Sequence, residues 1–486
     1  MKRDNFGSKL GILAAAAGSA IGLGNIWKFP YITGQNGGAA FILVYLACIV
    51  LVGLPVMLTE FALGRRTHKN AVGAFKELEP NKPWYLSGVV SVSTAFIILS
   101  FYAMIAGWVF AYLSRSVSGN LINVAPDKLG DYFGAIISSG TEPIVWTFVI
   151  LSLTACVVIL GVKTGIEKCS KVLMPVLLLI LIGLMIRSVT LDGASKGLEF
   201  LFKPDFSQLT KEGVLEALGH SFYSLSLGMA IIMTYGSYID KKENLFKLAV
   251  QVTIADTLIA LMAGVVIFPA VFAYGLEPGQ GPGLIFVTLP AVFKAMPFGA
   301  FFETLFFLLI GIAALTSTIS LMEVVVAFVT EQFNIGRKKA TVLIALALFA
   351  LSIPSTLSFG PWAEVKIFGK NFFDLFDYVT AKITLPLGGV LVCLFGGWIW
   401  GTKNAVKEIE SNGLYPFSWS RLYSFAVKFL APIAIIIIFV HSIGLMEYFK
   451  TDNGNLATTN VFLAGGVLLF VLTMWGLKMR RTSGEE

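Results

Sequence analysis

Gly18-Ser19-Ala20-Ile21-Gly22-Leu23-Gly24-Asn25-Ile26-Trp27-Lys28-Phe29-Pro30 lies inside the first long apolar segment of the chain. Three glycines and an asparagine interrupt that segment, and a lysine and a proline follow. Each glycine weakens a helix by about 1 kcal/mol relative to alanine. Backbone groups freed at bilayer depth cost several kcal/mol each when left unpaired, so such a break persists only where protein or a polar cavity meets it. Two readings stand on this stretch alone. One is a broken helix whose bared carbonyls bind a cation and whose half-helix end meets a charged solute. The other is a continuous glycine-rich helix packed closely on its neighbours.

The rest of the chain places this stretch in a membrane. Of 486 residues, 56% are hydrophobic and only 13% are charged, and apolar runs of roughly 20 residues mark bilayer-crossing helices. Twelve spans are expected, near 10–34, 39–63, 88–114, 143–161, 165–187, 213–239, 246–275, 298–331, 339–357, 372–400, 422–447 and 458–478. The first run is too long and too broken for a cleaved signal peptide. With the N-terminus in the cytoplasm, the inner segments carry most of the 36 lysines and arginines, including Lys2, Arg65, Arg66 and the Arg337-Lys338-Lys339 run. The net charge of +7 therefore reflects membrane orientation, and no nucleic-acid partner is expected. Cys48, Cys156, Cys169 and Cys393 fall in spans or at their cytoplasmic ends, where a structural disulfide is not expected. Short tails and the lack of any Asn-X-Ser/Thr sequon suit a multi-pass protein of a bacterial inner membrane, with both termini cytoplasmic.

A second interruption is expected in the sixth span. There His220-Ser221-Phe222-Tyr223-Ser224-Leu225-Ser226-Leu227-Gly228-Met229 puts three serines and a glycine at mid-membrane depth. A serine hydroxyl can bond the carbonyl one turn earlier, so an unbroken helix is the plain alternative. Interrupted helices five apart are also what an inverted five-plus-five repeat produces, with the solute held between the breaks. The eighth span carries Thr316, Ser317 and Thr318, and Glu323 follows. Oxygen-only ligands of this kind suit hard cations. The seventh span holds Asp256, which costs about 2.5–3.5 kcal/mol at a helix centre and so reads as functional. In the tenth span, Asp374, Asp377 and Lys382 add charge, and Asp377 is placed to face Lys28. No Walker A sequence is present, and His68, His220 and His441 lie far apart, so neither an ATP-driven pump nor an enzyme is expected.

Four motifs together resemble the neurotransmitter:sodium symporter family, in its bacterial amino-acid transporter branch. They are GSAIGLGNIWKFP at 18–30, NGGAAF at 36–41, FYSLSLG at 222–228 and ALTSTIS at 314–320. The resemblance implies an all-α membrane protein with twelve helices. Residues 1–400 would form an inverted-repeat core with helices 1 and 6 broken, and 401–486 two peripheral helices and a short tail. It also implies two Na+ sites. The first would use the Ala20 carbonyl, Asn25, Ser224 and Asp256, with Asp256 standing where better-known members have asparagine. The second would use the carbonyls of Gly18, Ile21 and Ala313 and the hydroxyls of Thr316 and Ser317.

For the solute, the resemblance places a carboxylate beside the backbone of Leu23 and Gly24 and the hydroxyl of Tyr102. The ammonium group would meet carbonyls of Ala20, Tyr223 and Ser224 and the hydroxyl of Ser226. Ile98, Met229, Ser317 and Leu321 would complete the side-chain pocket. Lys28 with Asp377 would form an outer gate, looser than one built on arginine because lysine lacks the planar fork. Arg3 with Glu331, and Tyr238 with Glu323, would form the inner gate, with Phe6 packed against it. Gly165 and Pro175 in the fifth span match a spacing linked in the family to local unwinding, and proline does remove a helix hydrogen bond.

The function expected is Na+-coupled symport of a neutral, hydrophobic L-amino acid by alternating access. Chloride is not expected, because Asp256 supplies a fixed negative charge beside the first cation. The alternatives are a channel-like or sensor protein, or a proton- or cation-coupled transporter, on the same fold. The preferred amino acid, the oligomeric state and the roles of Lys382 and His220 are not fixed by the sequence.

Overall fold

The structure, a computed structural model, describes residues 4–276 and 283–445. The membrane helices are α1 (Lys9–Ala20) and α2 (Gly24–Gln35), then α3 (Ala39–Thr67), α4 (Tyr85–Val117), α5 (Thr141–Ile159) and α6 (Val162–Val189). The second half has α7 (Lys211–Ser224), α8 (Ile231–Gly236), α9 (Leu245–Ala273), α10 (Gly299–Gln332), α11 (Arg337–Leu357), α12 (Phe372–Ile399) and α13 (Ser420–Ser442). Among the described residues, nine helices are long and apolar enough to cross a membrane on their own, and the bent pair α1–α2 makes a tenth span. α7 and α8 have 14 and 6 residues. At 1.5 Å rise per residue neither crosses a bilayer alone, so they form the interrupted sixth span. Eleven of the expected spans thus lie where the sequence puts them, and the twelfth, at 458–478, falls outside the described residues.

Both interruptions are real breaks, and their causes are local. α1 and α2 meet at 50°. Ile21 leaves helical geometry with ψ 96°. The Gly22 N–H then turns to Asn25 Oδ1 (3.0 Å) and the Leu23 N–H to the Tyr102 hydroxyl (3.2 Å). These are the groups that would otherwise bond the carbonyls of Gly18 and Ser19, so the helix ends by exchanging ladder bonds for side-chain bonds. A Cβ on Gly22 would stand 2.6 Å from Ser317 Oγ, which is why close helix approach demands glycine there.

The second break is strained. Ser226, Gly228 and Ala230 all take left-handed backbone, with φ of 55°, 77° and 63°. Two of these residues carry a Cβ, at a cost of about 1–3 kcal/mol each. Bonds to other helices offset this. Ser226 Oγ donates to the Ser19 carbonyl (3.0 Å), and the Gly228 N–H donates to Glu60 Oε1 (2.8 Å). The two breaks are therefore tied directly to each other.

At the end of the bundle where α1 begins, short connections are locked by one buried cation. Arg65, at the end of α3, is fully buried. Its Nε donates to Glu408 Oε1 (2.8 Å), Nη1 to the Glu243 carbonyl (2.7 Å), and Nη2 to the Glu408 carbonyl. This fork joins α3 to the α8–α9 connection and to the short helix Thr402–Ile409. Arg65→Lys keeps the charge and loses the fork. A hydrogen bond to a charged group contributes about 1.5–3 kcal/mol, and thermal unfolding in detergent should show a destabilisation of that size.

Candidate functional site

The two breaks face each other across a buried cavity of about 40 Å³. From the first break it is lined by Ala20, Leu23 and Gly24, and from the second by Tyr223, Ser224, Ser226 and Met229. α4 contributes Ile98 and Tyr102, and α10 contributes Ser317 and Leu321. Every residue that the sequence assigns to the solute thus meets in one cavity. Ser19, Gly22 and Ile231 also line it, and the sequence reading did not assign them to the solute. A cavity needs about 10–15 Å³ to hold one water molecule, and an engineered cavity of about 150 Å³ binds benzene. In this conformation the space accommodates water or a small group, and an aromatic side chain requires the walls to move.

Beside the cavity lies the first group of candidate cation ligands. Ser224 Oγ donates to Asp256 Oδ2 (2.8 Å). Asn25 Nδ2 donates to Asp256 Oδ1 (2.7 Å), to the Asp256 carbonyl (3.1 Å) and to Ser224 Oγ (3.3 Å). Asn25, Ser224 and Asp256 are almost fully buried. The three side chains converge as expected, with one difference. Asn25 turns its amide nitrogen toward the carboxylate, because its Oδ1 accepts the Gly22 N–H. A cation at this point would replace the amide protons as the partner of Asp256. The Tyr45 hydroxyl, on α3, is buried beside Ser224 and Asp256; a tyrosine within an apolar run carries no local signal of that role.

The second group lies where α10 crosses the first break. Thr316 Oγ1 donates to the carbonyls of Ile312 (3.2 Å) and Ala313 (3.1 Å), and Ser317 Oγ donates to Ala313 (3.1 Å). Each hydroxyl keeps lone pairs free for a cation. Gly22 in the first break passes close to Ser317, and α1 packs against α10 along this stretch.

The gate residues divide. Lys28 and Asp377 do not form an ion pair. Both are exposed, as are Asp374 and Lys382, and the Lys28 ammonium lies 4.9 Å from the centre of the Tyr223 ring. Lys28 ends a widened helical turn, Gly24–Lys28, which aims it along the ring face, where a cation–π contact is favourable. Lys382 faces the same space as Asp377 and Lys28. His220 is buried between Phe29 and Tyr45, with ring centroids 5.9 and 5.5 Å away, and neither ring nitrogen has a hydrogen-bond partner.

At the other end of the bundle the contacts are closed. The Tyr238 hydroxyl donates to Glu323 Oε1 (2.6 Å), and Arg337 forks onto both oxygens of Glu323. Phe6 packs edge-on against Tyr235 and Tyr238 at 5.8 and 6.0 Å. Glu331 accepts from the backbone and side chain of Asn70 (2.8 and 2.7 Å). Arg3, its expected partner, lies outside the described residues. Arg337, read in the sequence only as part of a basic run, is a partner of the gate carboxylate. In the fifth span a widened turn, Val162–Glu167, follows Gly161 at φ 90°, but helix runs unbroken from Lys168 through Pro175 to Val189, so the unwinding that the resemblance implies between Gly165 and Pro175 is not seen in this conformation.

The model of the "Sodium:neurotransmitter symporter family" matches residues 3–125 and 136–474. The chain belongs to the sodium:neurotransmitter symporter family. Among relatives, it is 39% identical over 447 residues to YhdH of Bacillus subtilis, described as an uncharacterized sodium-dependent transporter, covering 92% of this chain and 99% of that one. An uncharacterized sodium-dependent transporter of Haemophilus influenzae is 36% identical over 453 residues, covering 91% and 98%. The crystal structure of MhsT in complex with L-phenylalanine is similar at a TM-score of 0.84 and 46% identity, covering 90% of this chain and all of that one. As a symporter of this family, the chain is a multi-pass membrane protein that couples solute movement to sodium, and it is not an enzyme. Its fold is the all-α inverted repeat with broken helices 1 and 6.

One site residue of this symporter was missed although its cue was present. Glu60 is a fully buried carboxylate in the second half of α3, and it holds the second break through Gly228. An acidic residue at that depth is as costly as Asp256 and reads as functional by the same rule.

Proposed function

We propose that this symporter imports neutral, hydrophobic L-amino acids with two sodium ions, without chloride, across a bacterial inner membrane. The observation that carries this reading is the cavity itself. Its walls beyond the backbone are Ile98, Tyr102, Tyr223, Met229 and Leu321, with only the hydroxyls of Ser226 and Ser317 among them. A charged substrate side chain would be buried there without a partner, which is strongly disfavoured. The solute carboxylate is assigned to the backbone of Leu23 and Gly24 and to the Tyr102 hydroxyl. The ammonium group is assigned to carbonyls of the two breaks.

The first sodium takes Ala20, Asn25, Ser224 and Asp256, and the second takes Gly18, Ile21, Ala313, Thr316 and Ser317. The distribution of basic residues supports a cytoplasmic N-terminus, with Phe6 and the Tyr238–Glu323–Arg337 contacts on the inner side. Phe6 and those contacts then form the closed inner gate, and Lys28, Asp377 and Lys382 line the outer approach. Each inward charge is worth about 2.3 kcal/mol per 100 mV, and a tenfold gradient about 1.4 kcal/mol per ion. Two ions supply about 7 kcal/mol, enough to accumulate a solute on the order of 10^5-fold.

Large side chains are accepted because the wall opposite them is adaptable. Met229 has three rotatable bonds and a polarisable sulfur, and residues 225–230 are not held in a helix. That MhsT binds L-phenylalanine supports the same reading. Competition of glycine, alanine, leucine, phenylalanine and tryptophan against a labelled substrate is the test. Inhibition by leucine and the aromatics is expected; inhibition by glycine and alanine alone would refute the pocket assignment. Met229→Phe fixes bulk where the flexible chain stands. It should shift the ranking toward smaller side chains by about tenfold, the scale set by one methylene or so in an apolar pocket.

A further inference from the structure

The face of α10 that carries Thr316 continues to the inner gate without a gap. Residues 316, 320 and 323 share one helix face, four and seven positions apart. Ser320 Oγ donates to the Thr316 carbonyl (2.9 Å) and accepts from the Tyr235 hydroxyl (2.8 Å). One turn on, Tyr238 bonds Glu323. Phe6 stands edge-on to both tyrosine rings, and its N–H bonds the Tyr238 carbonyl (3.3 Å). The Tyr235 side chain is almost fully buried, as is Ser320. A hydroxyl in that setting that loses its bond when α8 draws away from α10 is left bearing its full desolvation cost.

We infer that Tyr235 and Ser320 are positioning residues that tie the second sodium site to the inner gate through the Tyr235–Ser320 hydrogen bond. The inference rests on the assignment of sodium to Thr316 and Ser317. Its physical content is a clamp at both ends of α1. At one end, a cation shared between Gly18, Ile21 and the α10 hydroxyls holds α1 to α10. At the other end, Phe6, three residues before α1 begins, is held to α10 by the pair of tyrosines. Both clamps close on the same helix, so each makes the other easier to form. Loss of the cation frees one end of α1 and leaves the gate held by the tyrosines alone. Without the Tyr235 bond, the cation still binds but no longer fixes α8, and the gate opens with sodium in place.

Cys169 offers a native reporter. It is half-buried at the start of α6, within electrostatic reach of the Tyr235 hydroxyl. Cys156, exposed on α5, serves as internal reference. The intact protein is treated with N-ethylmaleimide in sodium or in choline, and alkylation of each cysteine is read by mass spectrometry. In the wild type, sodium should slow alkylation of Cys169 relative to Cys156. Tyr235→Phe and Ser320→Ala, each deleting one oxygen, should each reduce that protection by roughly threefold to tenfold, the worth of one hydrogen bond. The double variant should lose no more than either alone, since the two side chains act through one bond.

Full protection in both single variants overturns the tie and leaves the sodium assignment standing. Losses that add in the double variant also overturn it, because they indicate separate structural damage. Absence of any sodium effect in the wild type overturns the sodium assignment and the tie together.

Discussion

Uptake by the Thr316→Ala/Ser317→Ala double variant is expected to lose its response to sodium. The two hydroxyls sit on α10, with Ser317 close to Gly22 in the first break, and both are buried. Their removal takes two oxygens from a buried cation. A hydrogen-bond-like contact to a charged group contributes about 1.5–3 kcal/mol. Two of them amount to about 3–6 kcal/mol, roughly a 10²- to 10⁴-fold loss of sodium affinity. The substitutions themselves are mild for the fold, since Thr316 and Ser317 bond carbonyls one turn back on their own helix and Ser317 adds only a contact to the Tyr102 hydroxyl. Sodium-dependent thermal stabilisation should fall with uptake, while stability in sodium-free buffer stays near that of the wild type. Undiminished uptake would sink the second-site assignment.

Asp256→Asn should weaken transport comparably and by a different route. In the structure Asp256 is held by Asn25 and Ser224, and among the described residues no cationic side chain pairs with it. A carboxylate buried in this way is stabilised by a cation placed beside it. Neutralising it leaves the sodium without its counter-charge, and truncating one partner of a buried charge pair costs about 2–5 kcal/mol or more. Asparagine preserves the shape and an oxygen ligand, so the loss reports charge. An added anion is then the natural replacement for the missing charge, and chloride should restore part of the uptake in Asp256→Asn while having no effect on the wild type. A sharp fall in wild-type uptake when gluconate replaces chloride would contradict the fixed-charge account.

The fold was legible because the bilayer imposes it. Apolar runs of fixed length give the spans, and the glycines at 18, 22 and 24 signal the first break. The second break was legible in Ser224, Ser226 and Gly228 but not in Ala230, whose left-handed backbone no local rule predicts. Tertiary bonds from Glu60 and Ser19 hold that conformation, and a local reading weighs only neighbours in sequence. The solute cavity was legible through family resemblance, residue by residue.

What the sequence did not yield are the partners of its charges. Lys28 was matched to Asp377 by position, and the structure turns it onto Tyr223 instead. Glu323 was matched to Tyr238 correctly, but its stronger partner, Arg337, lay hidden in a run that positive-inside bias already explained. Choice among such partners depends on side-chain reach across helices, which spacing along one helix does not encode.

The central claim is sodium-driven, uphill import of a hydrophobic amino acid, and uptake of labelled leucine or phenylalanine into proteoliposomes tests it most directly. With an inward sodium gradient and an inside-negative potential, the label should accumulate above its outside concentration. Equimolar sodium on both sides with no potential should bring it only to equality. Accumulation that persists unchanged when choline replaces sodium, or label that never rises above the outside concentration under the full gradient, would contradict the account.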